Sequence, residues 1–143
     1  MMELTQTGAH LIFIGTAFFL VGLVQGALIP AVKNSRMALS GHLTAVQCGM
    51  AVALFGVVWS LVELPLFSAL FAAYGSAFGF ILIWMGITLA SVTGASKALP
   101  IAGAGFSANI TTEVIVMLLV RIGSLLSLIA CSILIFGLLP ILG

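Results

Sequence analysis

Four long apolar runs, separated by three short breaks, organise the chain. The first run opens near His10, reaches Leu28 and stops at Pro30. A polar loop follows, made of Lys33, Asn34, Ser35 and Arg36. The second run opens at Ser40, Gly41 and His42, with Ser40 the predicted N-cap, and closes at Glu63 and Pro65. The third spans Leu66 to about Ala90 and leads into a loop of small residues holding Gly94, Lys97, Pro100, Gly103 and Gly105. The fourth opens at Thr111, Thr112 and Glu113, an acid placed where the helix dipole favours it, and ends near Pro140. The pattern predicts helices over about 10–29, 40–62, 66–91 and 111–139. The expected fold is all-α: an up-and-down, four-helix integral membrane bundle, with 1–143 as one transmembrane domain and no internal repeat.

Composition makes the membrane assignment firm. The chain is 63% hydrophobic and 5% charged, and its mean hydropathy is +1.41. Four Lys or Arg and three Asp or Glu cannot clothe a water-facing surface. A net charge of +1 with no basic cluster excludes nucleic acid as a partner. A spanning helix takes about 20 apolar residues, so this length holds roughly four. Cys48 and Cys131 lie within apolar runs, form no CxxC and read as free thiols. The N-terminus lacks a basic region, and Glu3 precedes an overlong apolar run, so no signal peptide is expected.

Lys33, Arg36 and Lys97 occupy the first and third loops, which share one side of the membrane. The positive-inside rule puts that side in the cytoplasm and both termini outside, in what is expected to be a bacterial cytoplasmic membrane. Gly22 and Gly26 form a GxxxG on the first helix, and Gly75 and Gly79 form another on the third. Such spacing lets backbones approach in lipid, either within the bundle or between subunits of an oligomer.

Counting about 100° per residue from His42, Ala45, Gly49, Ala53 and Gly56 stay within about 60° of its direction. A histidine above a smooth strip suits a flat ligand such as a haem, with a ring nitrogen on the iron. It equally suits close helix packing with His42 at the headgroups. His10 opens the first helix, so the two histidines fall at opposite faces and cannot sandwich one haem. A haem on His42 alone keeps one axial position open.

Arg121 lies about ten residues into the fourth helix, roughly 15 Å deep, where charge is expensive and seeks a partner or a wet cavity. Glu113 shares the His42 end and is expected to orient that ring, or else to serve only as a helix-start carboxylate. Haem propionates at this end would meet Arg36 first and Lys33 second. Tyr74, Gln47 and Cys48 are further polar groups able to face a cavity. Phe71, Phe78, Phe80 and Trp84 read as packing or lipid contacts.

The stretch from Asn34 to Leu43, with Arg36, Met37, Leu39, Ser40 and His42, resembles the loop and second helix of the hydroxylaminobenzene mutases. Tyr74-Gly75-Ser76, the run from Pro100 to Gly105, and Glu113 are similar to that family in helix order. More distantly, His42 followed by Gly49 resembles the styrene oxide isomerases, four-helix membrane proteins that assemble as trimers around ferric haem b. The resemblance implies His42 as the axial ligand, Ala45 and Gly49 beneath the haem, a homotrimer, and a small aromatic substrate. It also implies a Lewis-acid rearrangement, aryl hydroxylamine to 2-aminophenol or aryl epoxide to aldehyde, with Cys48, Tyr74 and Glu113 as catalytic candidates. Cys48 stands where both families carry asparagine, Ala77 and Gly79 replace an aromatic and an asparagine of the mutases, Ile83 stands near the isomerases' tyrosine, and Ser35 replaces a proline. Two other readings stay open: a haem protein without catalysis, and a cofactor-free structural or transport-associated bundle.

Overall fold

The computed structural model describes residues 4–142; Glu3 lies outside them. Four apolar helices cross in alternating directions: α1 (Gln6–Leu28), α2 (Ser35–Val58), α3 (Leu66–Thr93) and, after a short α4 (Pro100–Gly103), α5 (Ile110–Leu138). Each of the long four is apolar enough and long enough to cross a bilayer. At 1.5 Å per residue their 23 to 29 residues measure roughly 35–43 Å, which spans a hydrocarbon core of about 30 Å with some tilt. Helices satisfy every internal N–H and C=O within the segment, as lipid demands. Several serine and threonine hydroxyls inside them are quenched the same way, for example Thr44 on Ser40 O and Ser127 on Gly123 O.

Two helices start earlier than the hydrophobic pattern predicts, because the caps are different residues. Thr5 Oγ1 accepts the Gly8 N–H and begins α1. Asn34 Oδ1 accepts the Met37 N–H and begins α2, so the predicted cap, Ser40, sits inside the helix with its hydroxyl donating to Arg36 O. Asn34 is wholly buried. Its Nδ2 also donates to Ala102 O, and its backbone N–H donates to Ser91 O. One side chain and its backbone thereby tie the start of α2 to the end of α3 and to α4.

The arrangement is two tight hairpins rather than a closed square. α1 packs along α2 and α3 along α5; the hairpins meet chiefly through α2 against α3, and α1 and α5 do not pack along one another. Backbone proximity builds the seams. Gly8 faces Gly56 and Gly15 faces Gly49; a Cβ on Gly8 would lie 2.6 Å from Gly56 O, and one on Gly49 would lie 2.6 Å from the Phe19 nitrogen. A seven-residue interval keeps such a seam in register when two helices wrap with a left-handed crossing. In the second hairpin a Cβ on Gly123 would lie 2.7 Å from Gly79 O. Gly75, by contrast, has no neighbour closer than 3.4 Å to its virtual Cβ, so only half of the second GxxxG is a close contact.

The polar end is also closed. α3 stops at Gly94, whose φ of 87° is open to glycine and whose N–H returns to Ala90 O. Beyond it, the buried Glu113 carboxylate accepts the N–H groups of Ser96, Lys97 and Ala108.

Two stability outcomes follow. Gly49→Ala should lower unfolding stability in detergent by about 1–3 kcal/mol, because the added methyl meets backbone that cannot yield, while Gly75→Ala should leave the thermal midpoint nearly unchanged. Asn34→Ala should cost about 1–2 kcal/mol through the lost cap and the stranded carbonyl, whereas Ser40→Ala should stay within about 0.5 kcal/mol. Thermal melts of the four single variants decide both.

Candidate functional site

His42 stands at the end of the α1/α2 seam. On α2, Gly56 and Gly49 recur at a seven-residue interval, and the next place in that series is His42, opposite Gly22 of α1. Its Nδ1 is 2.7 Å from Gly22 O, so Nδ1 carries the proton and donates to that carbonyl. The ring lies against Gly26, where a Cβ would fall 2.8 Å from Nδ1 and 2.9 Å from Cε1. The first GxxxG therefore seats the imidazole: one glycine supplies the acceptor and the other supplies the room. The half-buried ring is left with the lone pair of Nε2 free, the form in which histidine binds a metal. Among the described residues no three His, Cys, Asp or Glu side chains gather as a metal cluster. A ligand that brings its own equatorial donors, as a haem does, needs only the one histidine.

Several expected site residues lie elsewhere. Ala45 is fully buried, and Gly49 packs against Phe19, so the smooth strip below His42 is filled by α1 and is no open platform. Gly49 does border a hollow of about 300 Å³ between the two helices, with Gly15, Thr16, Phe19, Met50 and Ala53. Glu113 does not orient His42: Gly22 O holds the ring, and the carboxylate is committed to loop amides because α5 pairs with α3. Arg36 donates to Ala104 O, and Lys33 Nζ donates to Thr93 O at 2.8 Å, so both cations are spent on backbone carbonyls of the α3–α5 connection. Arg36 precedes His42 by six residues, about 120° around the helix. Cys48 follows by the same interval and is half-buried, so it does not share the histidine's face.

Tyr74 belongs to the opposite end of the bundle. Its hydroxyl is 2.9 Å from His10 Nδ1, a pair that bridges α3 and α1 near the start of both. Gln47 and Arg121 are exposed on the outer surface. Phe71 and Phe78 are exposed as the pattern suggests, while Trp84 is engaged inside: its ring meets Phe18 edge-on at 5.7 Å, and its Nε1–H donates to Gln25 Oε1 at 2.6 Å. Gln25 was legible as a lone amide in an apolar run; its partners Trp84 and Thr88, 59 and 63 residues away, were not.

Hydroxylaminobenzene mutase HabB of Ectopseudomonas oleovorans is 34% identical over 131 residues, which is 90% of this chain and 79% of that protein. Hydroxylaminobenzene mutase HabA of the same organism is 38% identical over 89 residues, 62% of this chain. The chain spans 66% of HabA's length. No solved structure matches. The profile of the styrene oxide isomerase family covers residues 7–139, all four spanning helices included. The chain belongs to the styrene oxide isomerase family, a family of isomerases.

Proposed function

We propose that the protein is a haem-b-dependent membrane isomerase acting on a small aryl substrate, and that its reaction is the conversion of an aryl hydroxylamine to a 2-aminophenol. The single observation that carries this reading is the seat of His42: a proton fixed on Nδ1 by Gly22 O, a ring held in the gap at Gly26, and a free Nε2 lone pair. Membership in an isomerase family and similarity to two hydroxylaminobenzene mutases support the reaction class. Bound at Nε2, ferric haem would supply Lewis acidity toward an N–OH or epoxide oxygen. Everything else is done by the chain. Gly22 O fixes the tautomer and orientation of the imidazole, which also raises its basicity as a ligand. The hollow beside Phe19 and Met50, deeper along the same helix pair, would offer a charge-developing aryl intermediate an apolar, water-poor surface. A rearrangement of this kind consumes no electrons, so a single axial histidine suffices.

The family's own name favours a second substrate, an aryl epoxide rearranging to an aldehyde. The outer groove of the α1/α2 hairpin and the open edges of the bundle fit assembly into a homotrimer, with basic loops on the cytoplasmic side of a bacterial inner membrane.

Protein purified after haem-supplemented expression should show a Soret band. His42→Ala should lose the band and all turnover, and His10→Ala should keep both; wild type without a Soret band overturns the proposal. Gly26→Ala should weaken haem affinity by about tenfold and shift the ferric electron-paramagnetic spectrum, the size of effect expected when the support of a metal ligand is disturbed. Gly75→Ala serves as its control. Ferric protein should convert phenylhydroxylamine or styrene oxide without added reductant; product appearing only after reduction contradicts the mechanism.

A further inference from the structure

The groove between α1 and α3 contains a pocket that the proposed reaction does not use. It measures about 290 Å³, and its walls include Val21, Gln25, Ala38, Trp84, Thr88 and Ser91. Nearly all of the lining is apolar. One edge is polar, and it is built from side chains bonded to each other. Trp84 Nε1–H donates to Gln25 Oε1 at 2.6 Å, and Gln25 Nε2–H donates to Thr88 Oγ1 at 3.1 Å. Phe18 stands edge-on to the indole at an interplanar angle of 81° and holds it upright. Gly41 completes the seat from behind, since a Cβ there would lie 2.5 Å from Gln25 Nε2.

The glycine seams join helices within each hairpin, so this triad is a polar link between the hairpins, from α1 to α3, that also borders the pocket. Its hydrogen-bond inventory is also incomplete. A glutamine amide has two N–H donors and a threonine hydroxyl has one O–H. Among the described residues, Gln25 spends one N–H on Thr88, and Thr88 Oγ1 accepts that bond without donating one. One amide proton and one hydroxyl proton are left to donate at the polar edge of the pocket. The rim is formed by Val24, Leu28 and Val92, each more than half exposed, so the pocket opens on the outer surface of the bundle.

We propose that this pocket binds a small single-ring aryl molecule carrying one hydrogen-bonding oxygen, at a site separate from His42. The ring lies against Trp84 and the valines, and the oxygen accepts from Thr88 Oγ1 and Gln25 Nε2. The volume sits at the low end of ligand pockets, about 300 Å³, which suits one aromatic ring. The aryl class rests on the proposed function; the separateness does not. Gln25 and Gly26 are neighbours on α1, yet Gln25 meets Gly41 and α3 while Gly26 meets the His42 ring.

The test uses 4-fluorophenol, with 4-fluorotoluene as its partner lacking the hydroxyl, titrated by fluorine NMR into the purified full-length protein in nanodiscs. We expect saturable binding of the phenol, at least fivefold tighter than the toluene. Thr88→Val should erase the difference and Thr88→Ser should retain it. The haem Soret band should not move during the titration, and His42→Ala should still bind the phenol. Equal affinity for the two probes, an unchanged preference in Thr88→Val, or unsaturable partitioning would each overturn the site. So would a Soret shift that tracks occupancy, which would place the phenol at the haem. If the protein holds no haem but binds fluorophenol as described, the proposed function fails and this site stands.

Discussion

In a bilayer, one apolar helix surface gains nothing by leaving lipid for another, so helices associate where their backbones can come close. The α1/α2 seam meets that condition with Gly8 against Gly56 and Gly15 against Gly49. Because the two helices are in backbone contact along this line, the carbonyl of Gly22 comes within 2.7 Å of His42 Nδ1. A seam with side chains between the helices would move that carbonyl away. The imidazole's tautomer, and with it the availability of Nε2, thus depends on the same glycines that join the helices. Packing and ligand geometry are one constraint here.

The basic loops follow a second constraint. A long connection between α3 and α5 carries backbone N–H and C=O groups that helices cannot satisfy. Glu113 takes three of the N–H groups, while Lys33, Arg36 and Asn34 each take a carbonyl. Lys33, Arg36 and Glu113, half of the six charged side chains from Lys33 to Arg121, are spent in this way. What resembles a cationic rim for propionates is a lock that holds one loop over the end of the bundle. It also fixes where α2 begins, and so the height of His42.

A polar triad and a histidine seat lie back to back, sharing the Gly41–His42 step of α2 and the Gln25–Gly26 step of α1. At each step one residue is a glycine that makes room for a polar side chain from the other helix: Gly41 receives Gln25, and Gly26 receives His42. This crossed arrangement puts the His42 ring and the Gln25 triad on different faces of one helix pair.

Four spanning helices, their alternation and the membrane setting were all determined by the sequence alone. Hydropathy, prolines and local motifs are properties of neighbours in the chain, and they survive without knowledge of the fold. The helix starts at Thr5 and Asn34 were less legible, since a cap is decided by which side chain reaches a free N–H, and Ser40 had equally good credentials. Partners were decided only in three dimensions. Nothing local distinguishes Gly26, which seats a ring, from Gly75, which has ordinary contacts. Nor does it separate Glu113 as a loop anchor from Glu113 as a histidine partner, or say that Tyr74 meets His10 and not the His42 groove. Each of those outcomes depends on which helix lies across the seam. Rotation of a helix about its own axis by about 100° per residue changes the answer completely while leaving the hydrophobic pattern untouched.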